Sequence, residues 1–73
     1  MKNRKFTKSW VQRMFDAKAV GRGGIIRRKI ASVLKHGSEA ELLTEVKTRG
    51  FHLVKTGDQY VVLCHRGDIT LAC

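Results

Sequence analysis

One stretch fixes most of what this chain can become. Between Ser38 and Cys64 it spells a capped helix, a glycine stop and two strands joined by a tight turn. Ser38-Glu39-Ala40-Glu41 has the form of a capping box, in which the serine hydroxyl and the Glu41 carboxylate each satisfy a free amide at the helix start. Leu42, Leu43 and Val46 give that helix one apolar face. It should run to about Arg49 and end at Gly50. Phe51–Lys55 and Tyr60–Cys64 are rich in aromatic and β-branched residues, as strands require. Gly57-Asp58 between them suits a two-residue type II′ hairpin, with glycine at the first central position. That turn pairs Lys55 with Tyr60, Leu53 with Val62, and Phe51 with Cys64.

The same grammar recurs at Gly67-Asp68, followed by Ile69–Cys73. Read as a third strand, this segment pairs Arg66 with Ile69, Cys64 with Leu71, and Val62 with Cys73. The expected fold is therefore α+β, with basic N-terminal helical segments and a helix packed on a three-stranded antiparallel meander. One face of the meander carries Phe51, Leu53, Tyr60, Val62, Cys64, Ile69, Leu71 and Cys73. The other carries His52, Val54, Val61, Leu63, His65, Thr70 and Ala72. That second face is still half apolar and needs a cover, either the N-terminal segment or a second copy. A core this small and two open sheet edges favour a homodimer, with Trp10, Phe15, Val54, Val61 and Leu63 as interface residues.

With 73 residues there is room for a single small domain, read as 7–73 behind a flexible basic arm at 1–6. Thr7 or Ser9 can cap a first helix running to about Ala19. Trp10, Met14 and Ala17 share its apolar face, widened by Val11 and Phe15, and Lys18 must snorkel. Gly21-Arg22-Gly23-Gly24 breaks that helix. Residues 25–36 fit two templates. Ile26, Ile30, Val33 and Leu34 fall at helical spacing with Gly37 as the stop, and this is the reading carried forward. The same isoleucines and valine suit a strand, and if 25–34 is a strand the sheet gains a fourth member.

Charge is segregated along the chain. Residues 1–37 hold 11 basic residues against one acid, Asp16, for a net +10; residues 38–73 come to −1. A polycationic half joined to a neutral one calls for an anionic partner. The leading reading is a non-enzymatic nucleic-acid-binding accessory protein, for DNA or RNA, that works mainly through phosphate contacts. Arg22, Arg27, Arg28, Lys29 and Lys35 are the expected contacts, assisted by Lys2, Arg4, Lys5 and Arg13. On a helix, Arg28, Ser32 and Lys35 would share the face opposite the apolar stripe. Arg22-Gly23-Gly24 would let backbone amides approach a phosphate. The alternative is a protein-interaction module, an inhibitor or adaptor docking on an acidic protein.

Other chemistries find less support. His52, Cys64-His65 and Cys73 are zinc-ligand types, but they form no C-x-x-C pair and alternate between sheet faces. Cys64 and Cys73 would lie diagonally, about 7–8 Å apart, too far for a disulfide. His52, His65 and Thr70 cluster on the second face, which gives a third reading, a metal-free RNase-like toxin with a histidine base. The glycines at 21–24 lack the lysine–serine/threonine ending of a phosphate loop. No cofactor and no metal is expected. No apolar run approaches the ~18 residues of a membrane span. No apolar stretch follows Met1–Lys5 to make a signal peptide. A cytoplasmic protein without membrane association is the expectation.

Residues 38–64, running Ser-Glu-Ala-Glu-Leu-Leu-Thr-Glu-Val-Lys-Thr-Arg-Gly-Phe and then two strands, resemble the opening of HicA-type mRNA interferase toxins. The resemblance covers about a third of the chain. It implies a small basic module of the α-β-β-β-α, double-stranded-RNA-binding-like kind. The family has a histidine just after the hairpin glycine, where this chain has Asp58 after Gly57, and a helix after the sheet, where this sequence stops at Cys73.

Overall fold

A computed structural model describes residues 8–72. Along the chain run α1 (Trp10–Met14), α2 (Lys18–Gly21), β1 (Ile25–Lys29), α3 (Ile30–His36), α4 (Glu39–Arg49), β2 (His52–Thr56) and β3 (Gln59–Leu63). The strands form one antiparallel sheet in the order β1-β3-β2, so the molecule is a small α+β fold. No helix among the described residues is long and apolar enough to cross a membrane.

The capped helix and hairpin stand where the sequence puts them. Ser38 Oγ accepts the Glu41 amide at 3.0 Å, one half of the expected box. Gly50 ends α4 with φ +74°, the left-handed turn that glycine enters freely. The Phe51 amide then donates to Val46 O and the Gly50 amide to Lys47 O, a Schellman closure. With its amide spent on α4, Phe51 does not join the ladder, and the expected Phe51–Cys64 pair does not form. The β2–β3 register is otherwise as expected, with Lys55 opposite Tyr60 and Leu53 opposite Val62. Gly57 has φ +58°, and no non-glycine among the described residues has positive φ, which agrees with the type II′ turn.

The third strand is not the C-terminal one. β1 takes the free side of β3, with Ile26 opposite Val62 and Arg28 opposite Tyr60. Residues 69–72 are neither strand nor helix. The expected pairs Arg66–Ile69 and Cys64–Leu71 therefore do not exist, and Cys73 lies outside the described residues, as do 1–7. Burial explains the choice. Ile26 is 3% exposed in the core, whereas Ile69 is 44% and Leu71 87% exposed. Gly67 lacks the positive φ that a second II′ turn needs. The α-β-β-β-α order implied by the resemblance is likewise not found, since one strand precedes α3 and α4.

Residues 25–36 prove to be both of their alternatives in succession. β1 ends at Lys29, and the Ile30 amide, free to start a helix, is taken by Asp58 O of the hairpin turn at 2.8 Å. No side chain caps α3; the neighbouring hairpin does that work. The first helix is also shorter than expected. Ser9 caps α1 with a full capping box to Gln12, but the helix stops at Met14. Phe15 turns into the core, and Asp16 pairs back to Lys8 at 2.8 Å. Lys18 starts a separate turn, α2, and is exposed rather than snorkelling across the apolar stripe.

The core lies on one side of the sheet. Val11 and Met14 from α1, Phe15 just after it, Val33 from α3, and Leu42 and Val46 from α4 pack on Ile26, Tyr60, Val62 and Cys64. Leu43 is half-buried.

Candidate nucleic-acid interface

β1 is an edge strand carrying three consecutive cations, and strand alternation divides them between its two faces. Arg27 lies in a row with Val61 and Val54, and Lys29 in a row with Gln59 and Thr56. Ile25, Leu63 and His52 complete this outer face. Arg28 falls on the helix side, in the row of Tyr60 and Lys55. Bonds from Cys64 N to Gly24 O and from Ile30 N to Asp58 O bracket the β1–β3 ladder. The hydrogen-bonded pairs are then the even-numbered residues of β1, and the amides of Ile25, Arg27 and Lys29 point away from the sheet.

Pairing separates the cations only in part, since Lys47 and Arg66 of the second half also have no acidic partner among the described residues. Lys8 is held by Asp16, Lys55 by Glu39, and Arg49 by Glu45, with the Arg49 guanidinium also 4.1 Å over the Phe15 ring. Among the described residues, none of the seven cations from Arg13 to Lys35 has an acidic partner. Arg13, Arg22, Arg27, Lys29 and Lys35 are exposed, and Arg28 is half-buried. Lys2, Arg4 and Lys5 lie outside the described residues.

Two expectations for this surface are corrected. Arg28, Ser32 and Lys35 share no helix face, because Arg28 is on β1 and the other two on α3. The amides of Gly23 and Gly24 are not free for a phosphate; they donate to Val20 O at 3.3 Å and Ala19 O at 2.7 Å.

Arg28 instead meets α1. Trp10, Arg13, Met14 and Arg28 line a pocket of about 160 Å3. The Trp10 indole stacks on the His36 ring at 4.9 Å between centroids and 20° between planes. Nothing in the sequence announces this constellation. His36 reaches Trp10 only because α3 begins at Ile30, a boundary that carries no glycine, proline or side-chain cap.

Of the expected interface residues, Val54 is exposed and Val61 and Leu63 are half-buried on the outer face. Phe15 is 6% exposed, beside Phe51 in the core, so it is out of reach of a partner; Trp10 is half-buried against the same core. His52 and His65 do approach each other, at 5.4 Å, and His52 Nε2 bonds Gly67 O, but Thr70 is not on a strand beside them. Cys64 is free and buried, and burial pushes its thiol above the ordinary range. No group of three or more His, Cys, Asp or Glu among the described residues is placed to hold a metal ion.

Comparison with protein-family models, with curated proteins and with solved structures finds no match to this chain.

Proposed function

We propose that this protein binds nucleic acid without acting on it, holding phosphates along the β1 edge. One observation carries the reading: seven cations without acidic partners among the described residues occupy positions 13–35, and three of them are consecutive on an edge strand. Like charges crowded on one edge repel, and a polyanion relieves that repulsion while releasing its own counterions. Arg27 and Lys29 hold phosphates from the outer face, Arg22 from the loop before β1, and Arg28 and Arg13 from the helix side. Lys35 extends the same charge along α3.

The same charges bear on self-association. Two β1 edges placed side by side would set cations opposite cations, which opposes strand-to-strand pairing. A homodimer belongs to this reading only as a face-to-face one, through Ile25, Val54, Val61 and Leu63 on the outer face.

The test is fluorescence anisotropy with labelled RNA and DNA at low and moderate salt. Binding should fall steeply with salt. The variant Arg22→Gln/Arg27→Gln/Lys29→Gln should weaken binding of all sequences and reduce the salt slope by about one for each cation neutralised. Absence of binding at low salt, or an unchanged slope in the variant, overturns the reading.

A further inference from the structure

We infer that the pocket between α1 and β1 takes an unpaired nucleotide, so that the preferred ligand is a single strand rather than a duplex; this rests on the nucleic-acid reading above. The pocket joins three chemistries. Its aromatic wall is Trp10, at the first position of α1 and steadied by the stack on His36. Its apolar lining is Met14, 4% exposed. Its rim is Arg13 and Arg28, two guanidiniums without an acidic partner among the described residues. Arg28 Nη1 donates to Arg27 O at 2.6 Å, which anchors the group and leaves its other donors to a ligand.

Two unpaired guanidiniums on one small pocket call for an anion with more than one acceptor oxygen, as a phosphate has. The indole beside them offers a surface on which a base can stack. At about 160 Å3 and open to solvent, the pocket seats the base or the phosphate of one nucleotide, the rest of which lies outside it. A base already stacked in a duplex cannot present its face to Trp10. Geometry outside the pocket agrees. Arg27 and Lys29 lie on one face of β1 and Arg28 on the other. A flexible strand can cross the edge and touch both faces, whereas a stiff duplex cannot fold over it.

Trp10 is the chain's one tryptophan, so its fluorescence reports this site alone. The full-length protein is titrated at low salt with oligo-U, with oligo-dT and with a blunt duplex of equal length, while anisotropy follows total binding. Both single strands should quench Trp10 in step with the anisotropy change, and the duplex should bind without quenching. Comparison of oligo-U with oligo-dT separates RNA from DNA as the source of the strand. Trp10→Leu should lower single-strand affinity by about tenfold and leave duplex affinity unchanged. Arg13→Gln, at an exposed position that the core does not need, removes a phosphate contact from both ligands and should lower single-strand affinity more than duplex affinity, even if the tryptophan variant fails to fold. If single strands bind with Trp10 unquenched and Arg13→Gln lowers both ligands equally, the pocket assignment is wrong and the phosphate reading stands. If neither ligand changes the anisotropy, both fall.

Discussion

The Tyr60 hydroxyl donates to Glu39 Oε1 at 2.6 Å, and Lys55 Nζ reaches the same oxygen from 3.0 Å. A side chain from the middle of the sheet is thereby tied to the first turn of α4, with the next strand's lysine closing the triad. Tyr60 is 1% exposed, so its hydroxyl has this bond in place of water. The Tyr60 bond first, and Lys55 second, hold the Glu39 carboxyl below its usual 4.5. In return the Glu39 bond first, and burial second, push the Tyr60 phenol above 10.0.

These directions set two limits on stability. The Glu39 contribution is present above pH 4.5 and is lost as pH falls through its lower folded value. The Tyr60 contribution is present below pH 10.0 and is lost as pH rises through its higher folded value. Because the chain has one tyrosine, tyrosinate absorbance follows this group alone. It should titrate above 10.0 in the native protein and move back down in Glu39→Gln. An unshifted titration in both proteins would contradict the bond.

Leu42 and Leu71 look interchangeable in the sequence and are opposites in the fold, one 0% exposed on α4 and the other 87% exposed beyond the sheet. Leu42→Ala should cost about 2–5 kcal/mol and Leu71→Ala less than about 0.5 kcal/mol. Urea unfolding of the two variants is the check. A large loss at Leu71 would restore the three-stranded meander.

Gly37 and Gly50 are required for different reasons. At Gly37 a Cβ would sit 2.7 Å from Val11 Cγ2, a buried methyl with no room to retreat, so Gly37→Ala should cost about 1–3 kcal/mol. At Gly50 the left-handed backbone itself is the obstacle, and Gly50→Ala should cost about 1 kcal/mol. Thermal unfolding ranks both against the native chain.

Lys55 serves as a control for the charged edge. Its ammonium is already matched by Glu39. Lys55→Gln should leave the slope of log affinity against log salt unchanged, whereas Arg27→Gln should reduce it by about one. Equal slopes for the two variants would mean that every lysine and arginine counts alike and that the edge is not special.

What could be read in advance divides by range. Ser38, Gly50 and Gly57 act on their immediate neighbours, so α4 and the β2–β3 hairpin are legible from local chemistry. The partner of β3 is not a local matter. Ile25–Lys29 and Ile69–Cys73 are both short β-branched segments, and nothing in either says which will win the open side of Tyr60–Leu63. Burial of Ile26 decides it, and that depends on helices from elsewhere in the chain. The break at Lys29–Ile30 is hidden for a related reason, since its cap is the carbonyl of Asp58. At the surface, residue type alone pointed to the cations. Their division between two faces, and the meeting of Arg28 with Trp10, needed the strand boundary first.

The pairing of β1 with β3 has a consequence for how the molecule forms. β1 finds its sheet partner only across residues 30–58, so its place in the sheet depends on closing a long loop, a slow and non-local step. During synthesis the cationic segment emerges well before Gln59–Leu63 exists to receive it. Until then its three consecutive cations have no strand to pair with. The edge that divides Arg27 and Lys29 from Arg28 comes into being with the last strand, so the charged surface is a product of completed folding and not of the basic half by itself.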